Sequence, residues 1–308
     1  LCAYFRYYYP MEFLTSFLNN AATEDDIRNG TSYAERIGIR VTPPRWGFSK
    51  SNYAFDKEKH VIAKGLSSIK YMSDGLGEEL YGIAHDKYDD PNYLKSFMNV
   101  LDVLSRRSRI NARQLEILVK LDFFCAFGNQ RELMYMIDIF ANPFNKGDAK
   151  QVSKEKIDGT PLEPIVKKYA IGVTKNGQIA KKYTLLDVHS ILIEAESAVR
   201  KAGLEDVTEI EKVRSFNEST GYAGYVSGKE EDKRKLLVMD VFPLKRKKDG
   251  VVFGASITTK SIGSGKESRM SVHNRDMKEE IKKGDIIYCN SWRRDGQYLT
   301  LLSYSVIH

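Results

Sequence analysis

At Leu236 the apolar residues of this chain change period. Upstream they recur three and four apart, as along one face of a helix; downstream they alternate, as along one face of a strand. A helical stretch is thus followed by a stretch of strands. The sequence therefore predicts a multidomain α+β protein, with a mainly helical N-terminal half and a smaller β module at the C-terminal end.

The β module reads strand by strand. Leu236–Leu244 is a strand, Lys247-Lys248-Asp249-Gly250 a hairpin turn, and Val251–Thr259 its return. Met270-Ser271-Val272 is a short third strand and Asp276–Ile281 a short helix. Asp285–Trp292 is a fourth strand, Arg294-Asp295-Gly296-Gln297 a second turn, and Tyr298–Ile307 a fifth strand. Five strands with a helix between the third and fourth outline an oligonucleotide-binding (OB) barrel.

The helical half starts with apolar residues at 13, 14, 17 and 18, behind a Pro10 that suits a first helical turn. Gly38 stops a short helix over Ser32–Ile37, and Pro43-Pro44 forces an extended stretch. Gly75 and Gly77 separate two helical pieces, Ser67–Tyr71 and Glu78–Ala84. Asn111–Lys120 and Gln130–Phe140 are amphipathic helices, Val188–Ala202 is another that stops at Gly203, and Asp206–Ser215 is a charged one. The turn cluster Asn142–Gly147 and the polar stretch behind it mark a domain boundary.

Composition narrows the class. A chain of 308 residues suits two domains at roughly 150 residues each. Its apolar share of 42% excludes a disordered protein, and no apolar run approaches the roughly 20 residues of a membrane span. No membrane partner is expected. Cys2, Cys125 and Cys289 stand too far apart for a disulfide framework or a zinc knuckle, so a reducing, cytoplasmic setting is expected. The chain opens Leu1-Cys2-Ala3 without a Met or a leader pattern, and it reads as a piece whose natural start lies upstream.

Charge is concentrated. Of a net +7, the stretch 229–308 carries 17 Lys and Arg against 11 Asp and Glu. That surplus in one module points to a polyanionic partner or to a solubilising surface. Catalytic and metal motifs fail on inspection. Gly263-Ser264-Gly265-Lys266-Glu267 has Lys260 where a phosphate loop needs its first glycine, so it reads as a hairpin loop. His85-Asp86 with Asp89-Asp90 reads as a solvated turn, and no two histidines share ligand spacing.

Four segments then fall in a recognisable order. Ala3-Tyr4-Phe5-Arg6-Tyr7-Tyr8-Tyr9-Pro10-Met11-Glu12-Phe13 resembles the end of the fingers domain in bacterial replicative DNA polymerases, the alpha subunit of DNA polymerase III. Arg36–Pro44, with Ser49-Lys50-Ser51 and Phe55 behind it, follows in the order that family uses. Gly65-Leu66-Ser67-Ser68-Ile69-Lys70 looks like the start of its helix-hairpin-helix. Asn111, Leu115, Leu118, Lys120, Phe124, Gly128, Asn129, Arg131 and Leu133 look like the helical segment after it. The resemblance implies a fingers end over 1–60, a helix-hairpin-helix-like DNA-binding region over 61–141, an unplaced connecting region over 142–228 and an OB-like domain over 229–308.

One departure bears on function. The family's tight turn carries a Gly-apolar-Gly triplet whose amides approach a DNA phosphate; here it reads Tyr71-Met72-Ser73. Either the turn serves packing alone, or the contact moves to Ser73-Asp74-Gly75. The resemblance implies DNA, duplex and single-stranded template, as partner. The expected contacts are Lys70, Ser73, Gly75 and Gly77 in the turn region, with Lys245, Arg246, Lys247, Lys248, Lys260, Trp292, Arg293, Arg294 and Tyr298 in the barrel, where Phe242 also offers a ring. It places the catalytic palm, with its Mg²⁺-holding carboxylates, upstream of Leu1, so no cofactor and no polymerase activity are expected here. Other replisome subunits, including a sliding clamp, are expected partners, although no clamp-docking peptide is evident. The alternatives are a replisome protein-interaction module whose basic surface only solubilises and, against the N-terminal match, an RNA-binding OB protein.

Overall fold

A computed structural model describes residues 2–144, 149–173, 178–220, 225–277, 279–296 and 298–307. The chain forms two compact units: Leu1–Ala22 with Asn29–Val207, and Thr23–Arg28 with Thr208–His308. Parts of the two expected turns, Asn145–Gly147 and Gln297, and Lys278 of the expected short helix lie outside the described residues.

The first unit is mainly helical. It opens with α1 (Cys2–Tyr8) and α2 (Pro10–Asn19), whose first residue is the proline that lacks the amide a first turn leaves unused. Helix α3 (Glu24–Arg36) runs longer than the Ser32–Ile37 expected, because its polar first half carries no apolar stripe to announce it. Three short strands, β1 (Arg40–Thr42), β2 (Ala54–Asp56) and β3 (Val61–Ala63), pair in the order β1-β3-β2. Next come a single 3₁₀ turn at Leu66–Ser68, α4 (Leu76–His85), α5 (Phe97–Arg107), α6 (Ala112–Lys120) and α7 (Gln130–Ile139). The 3₁₀ turn stands in place of the helix expected over Ser67–Tyr71; the chain leaves helical geometry at Ile69, whose φ and ψ are extended.

Caps fix the ends of these helices. Asn111 with Gln114 and Asn129 with Glu132 form reciprocal capping boxes at α6 and α7. Phe97, Phe123, Phe124 and Phe127 build an aromatic core with Trp46 against it. Then follow β4 (Gln151–Ser153), α8 (Glu163–Lys168), β5 (Ala170–Val173) and β6 (Ile179–Leu185), the strands pairing antiparallel in the order β4-β6-β5. Helix α9 (Val188–Ala202) is capped by Asp187 and ends at Gly203, which takes the left-handed φ of +61° that a C-cap favours. Its Glu196 closes the N-terminus of α5, accepting from Ser96 Oγ at 2.6 Å and from the amides of Phe97 and Met98 at 3.2 and 3.1 Å.

The second unit is a closed barrel with α10 (Glu209–Thr220) on it. Strands β7 (Lys235–Lys245), β8 (Val252–Ser261), β9 (Glu267–His273), β10 (Ile286–Asp295) and β11 (Tyr298–Ile307) pair in the order β10-β11-β9-β8-β7, and β10 returns to β7. Only the β9–β11 pairing is parallel. This is the strand order of an OB-like barrel. Val238, Ile257, Val272, Ile287 and Leu301 fill its interior. Leu237, Met239 and Ile286 point the other way, against Val213 of α10. Strand β7 is thus buried on both faces at its start, which explains the unbroken run Leu236–Met239. The helix expected over Asp276–Ile281 is instead one 3₁₀ turn at Asn274–Asp276, with Ile281 buried in the core.

Candidate nucleic-acid interface

Two surfaces carry the expected contacts, one in each unit.

In the first unit, the turn before α4 is pinned from several sides. The chain at Lys50–Ser51 runs against it: Leu66 and Ser67 donate amides to the carbonyls of Lys50 and Ser51, at 2.9 and 3.0 Å. Gly65 and Gly77 allow that approach, because a Cβ on either would sit 2.2 Å from Ser51 backbone. The Gly77 amide donates to Ser51 Oγ at 3.2 Å, and Ser51 donates its hydroxyl to Glu78. That hydroxyl holds the Glu78 carboxyl below its ordinary range. Gly77 is therefore buried and its amide is engaged.

Lys70, Ser73 and Gly75 are exposed. Tyr71 takes a left-handed φ of +66° and Gly75 one of +76°. Gln114 Nε2 donates to the Tyr71 carbonyl at 2.9 Å and to Ser73 Oγ at 2.8 Å, tying the turn to α6. The amides of Ser73, Asp74 and Gly75 donate to no protein acceptor among the described residues. They stand ahead of the positive end of α4.

In the second unit, Lys245 ends β7, and Arg246, Lys247 and Lys248 lie exposed in the hairpin, which Gly250 turns at φ +69°. Register sorts the barrel side chains into inside and outside. Phe242 opposes Ser256 and Arg269 opposes Thr258, on the face away from the core residues Ile257 and Met270. Phe242 is 51% exposed, and Arg269 donates to Ser256 Oγ at 3.0 Å. Arg293 opposes Thr300, and Tyr298, 72% exposed, shares that side of β11.

Trp292 and Arg294 go elsewhere. Two register irregularities between Cys289 and Trp292 shift the alternation, so Trp292 opposes the core residue Leu301 and Arg294 opposes Leu299. Both line a pocket at a barrel mouth together with Cys289. Adjacent arginines thus serve opposite sides of the sheet. Lys260 is 5% exposed, opposite Glu267 in the ladder, and does not join the exposed cations. Strand β9 spans Glu267–His273 rather than the expected Met270–Val272 and so includes Arg269, for which alternation with Met270 is the signal in the sequence.

Among the described residues no helix is long and apolar enough to cross a membrane. None of their His, Cys, Asp and Glu side chains gather in threes to hold a metal ion.

Compared with known proteins, the chain is 25% identical over 130 residues to the DNA polymerase III subunit alpha of Ureaplasma parvum serovar 3. The match covers 42% of this chain and 13% of that protein. No family model matches. The chain thus carries a region similar to part of a polymerase III alpha subunit.

Proposed function

We propose that this chain is a DNA-holding region of a polymerase III alpha-like protein. In this reading it grips duplex through the turn at Lys70–Gly75, and single-stranded template along the outer face of the barrel. One observation carries the single-strand half: Phe242 and Tyr298 stand exposed on a strand face that also bears Arg269 and Arg293, with the Lys245–Lys248 run at the hairpin. Exposed rings offer stacking for bases of any sequence, and the cations track the phosphates. The similarity to a polymerase subunit supports DNA replication, in the cytoplasm and beside other replisome subunits, as the setting. Metal-dependent nucleotidyl transfer is assigned to residues outside this chain.

A protein-docking role is the second reading, and exposed Ile171, Val173 and Ile179 on the β4–β6–β5 sheet favour it. Salt separates the two. Single-strand binding should lose affinity with a log–log slope of about −0.7 per phosphate contact. Anisotropy titration of a labelled oligonucleotide at several salt concentrations measures it. Combined Lys247→Ala, Lys248→Ala and Arg293→Ala should flatten the slope by about two; no binding at low salt would leave the docking reading.

A further inference from the structure

At one mouth of the barrel, the β8–β9 loop, the start of β7 and the β10–β11 hairpin enclose a pocket of about 240 Å³. Lys233, Arg234, Lys266 and Arg294 line it, and no carboxylate does. Its apolar lining includes Leu236, Met270 and Cys289, and Trp292, 54% exposed, lines it too.

The charges are unbalanced. Lys233 pairs with the exposed Glu230 at 2.5 Å. Arg234, Lys266 and Arg294 form no ion pair among the described residues. Arg234, Lys266 and Arg294, each exposed, line one concave, partly apolar site, and a bound anion would offset their like charge. Burial pushes the Cys289 thiol up, so it supplies no compensating negative charge.

The site is built before any ligand arrives. A Cβ on Gly263 would lie 2.4 Å from the Lys229 carbonyl oxygen and 2.5 Å from the Lys233 amide nitrogen, so the β8–β9 loop presses directly on the segment before β7. The Gly263 amide bonds the Asp232 carbonyl at 3.1 Å, and the Ser261 hydroxyl bonds that of Lys233 at 2.9 Å. The loop whose sequence imitates a phosphate loop contributes here through the side chains of Ser264 and Lys266.

We propose that this pocket binds a nucleoside monophosphate unit, with the phosphate among Arg234, Lys266 and Arg294 and the base against the Trp292 ring. Guanidinium forks match phosphate oxygens, and an exposed indole beside them favours an aromatic base over a bare anion. The unit is either a free nucleotide or the phosphorylated end of a bound strand. The site deepens the nucleic-acid reading of the barrel while using a different set of residues from the outer face.

The test titrates the full chain with dTMP, thymidine and inorganic phosphate, reading tryptophan fluorescence. The expected result is saturable quenching by dTMP that vanishes in Trp292→Phe, where Trp46 still reports an intact first unit. Phosphate should compete, and thymidine should not quench. Lys266→Ala with Arg294→Ala should weaken dTMP at least tenfold, whereas Lys247→Ala with Lys248→Ala should leave it within twofold. A 5′-phosphorylated oligonucleotide that outbinds its 5′-hydroxyl twin, only while Lys266 and Arg294 are present, assigns the pocket to strand ends; equal binding assigns it to free nucleotide. Intact oligonucleotide binding without dTMP quenching, or quenching indifferent to Lys266 and Arg294, overturns the pocket and leaves the outer-face reading standing. Loss of oligonucleotide binding as well overturns both.

Discussion

The guanidinium of Arg113 lies 3.8 Å from the centre of the Tyr71 ring, and Tyr71 is held at a backbone φ of +66°. An L-residue in this region costs about 1–2 kcal/mol. The turn persists because Gln114 holds its carbonyl and Arg113 holds its ring, both from α6.

Tyr71→Gly and Tyr71→Ala should therefore separate. Both lose the ring contact, but only glycine relieves the backbone, at a cost of about 0.4–1 kcal/mol in unfolded-chain entropy. The glycine variant is expected to be the more stable of the two by about 0.5–1 kcal/mol in urea denaturation. If the amides of Ser73–Gly75 meet a phosphate, Tyr71→Gly should also tighten duplex binding, by removing the side chain nearest the approach. Equal duplex affinity in wild type and Tyr71→Gly would assign the turn to packing.

Much of the fold was legible, and the misses have physical causes. Alternation around Val238, Ile257 and Leu301 and the turn glycines Gly250 and Gly296 were enough to outline the barrel. Asn111 and Asn129 marked the starts of α6 and α7. Strands β1, β2 and β3 hold three residues each, too few to display a period. The candidate site was only half legible. Composition placed cations at Lys245–Lys248 and Arg293-Arg294, but the irregular register after Cys289 decides which side of the sheet Trp292, Arg293 and Arg294 serve. Pairing partners, invisible in one sequence, set that register.

Acid should weaken the first unit through Glu196. Burial raises its carboxyl, but Ser96, Arg200 and the amides of Met98 and Phe97 outweigh burial and leave it below its ordinary value. A carboxylate depressed in the folded state stabilises above its unfolded pKa of about 4.3, and that contribution is lost as pH falls through the lower, folded value. Urea midpoints of wild type and Glu196→Gln should therefore differ at pH 7 and converge toward pH 3. A gap that stays constant with pH would mean that Glu196 acts through shape alone.

The chain alone should extend no primer. If the chain serves only to hold DNA, as proposed, incorporation with primed template, dNTPs and Mg²⁺ is expected to equal that of a protein-free control. Incorporation that follows the chain through purification and is lost when an Asp or Glu of this sequence is replaced would place catalysis within it.

The outer face of the barrel yields the sharpest contrast between ring and charge. Tyr298, 72% exposed, buries little, so Tyr298→Ala should leave the thermal midpoint of the barrel nearly unchanged, whereas Phe242, 51% exposed, buries about half its surface and Phe242→Ala should lower the midpoint modestly. If each ring stacks a base, either substitution should weaken single-strand binding by about 1–3 kcal/mol. That loss should be the same at low and high salt, because stacking releases no counterions. Lys247→Ala with Lys248→Ala should do the opposite, costing most at low salt and little at high salt. Titrations of the four proteins against one oligonucleotide at three salt concentrations check both patterns. Ring variants whose deficit fades with salt, or lysine variants whose deficit does not, would show that the strand follows another face.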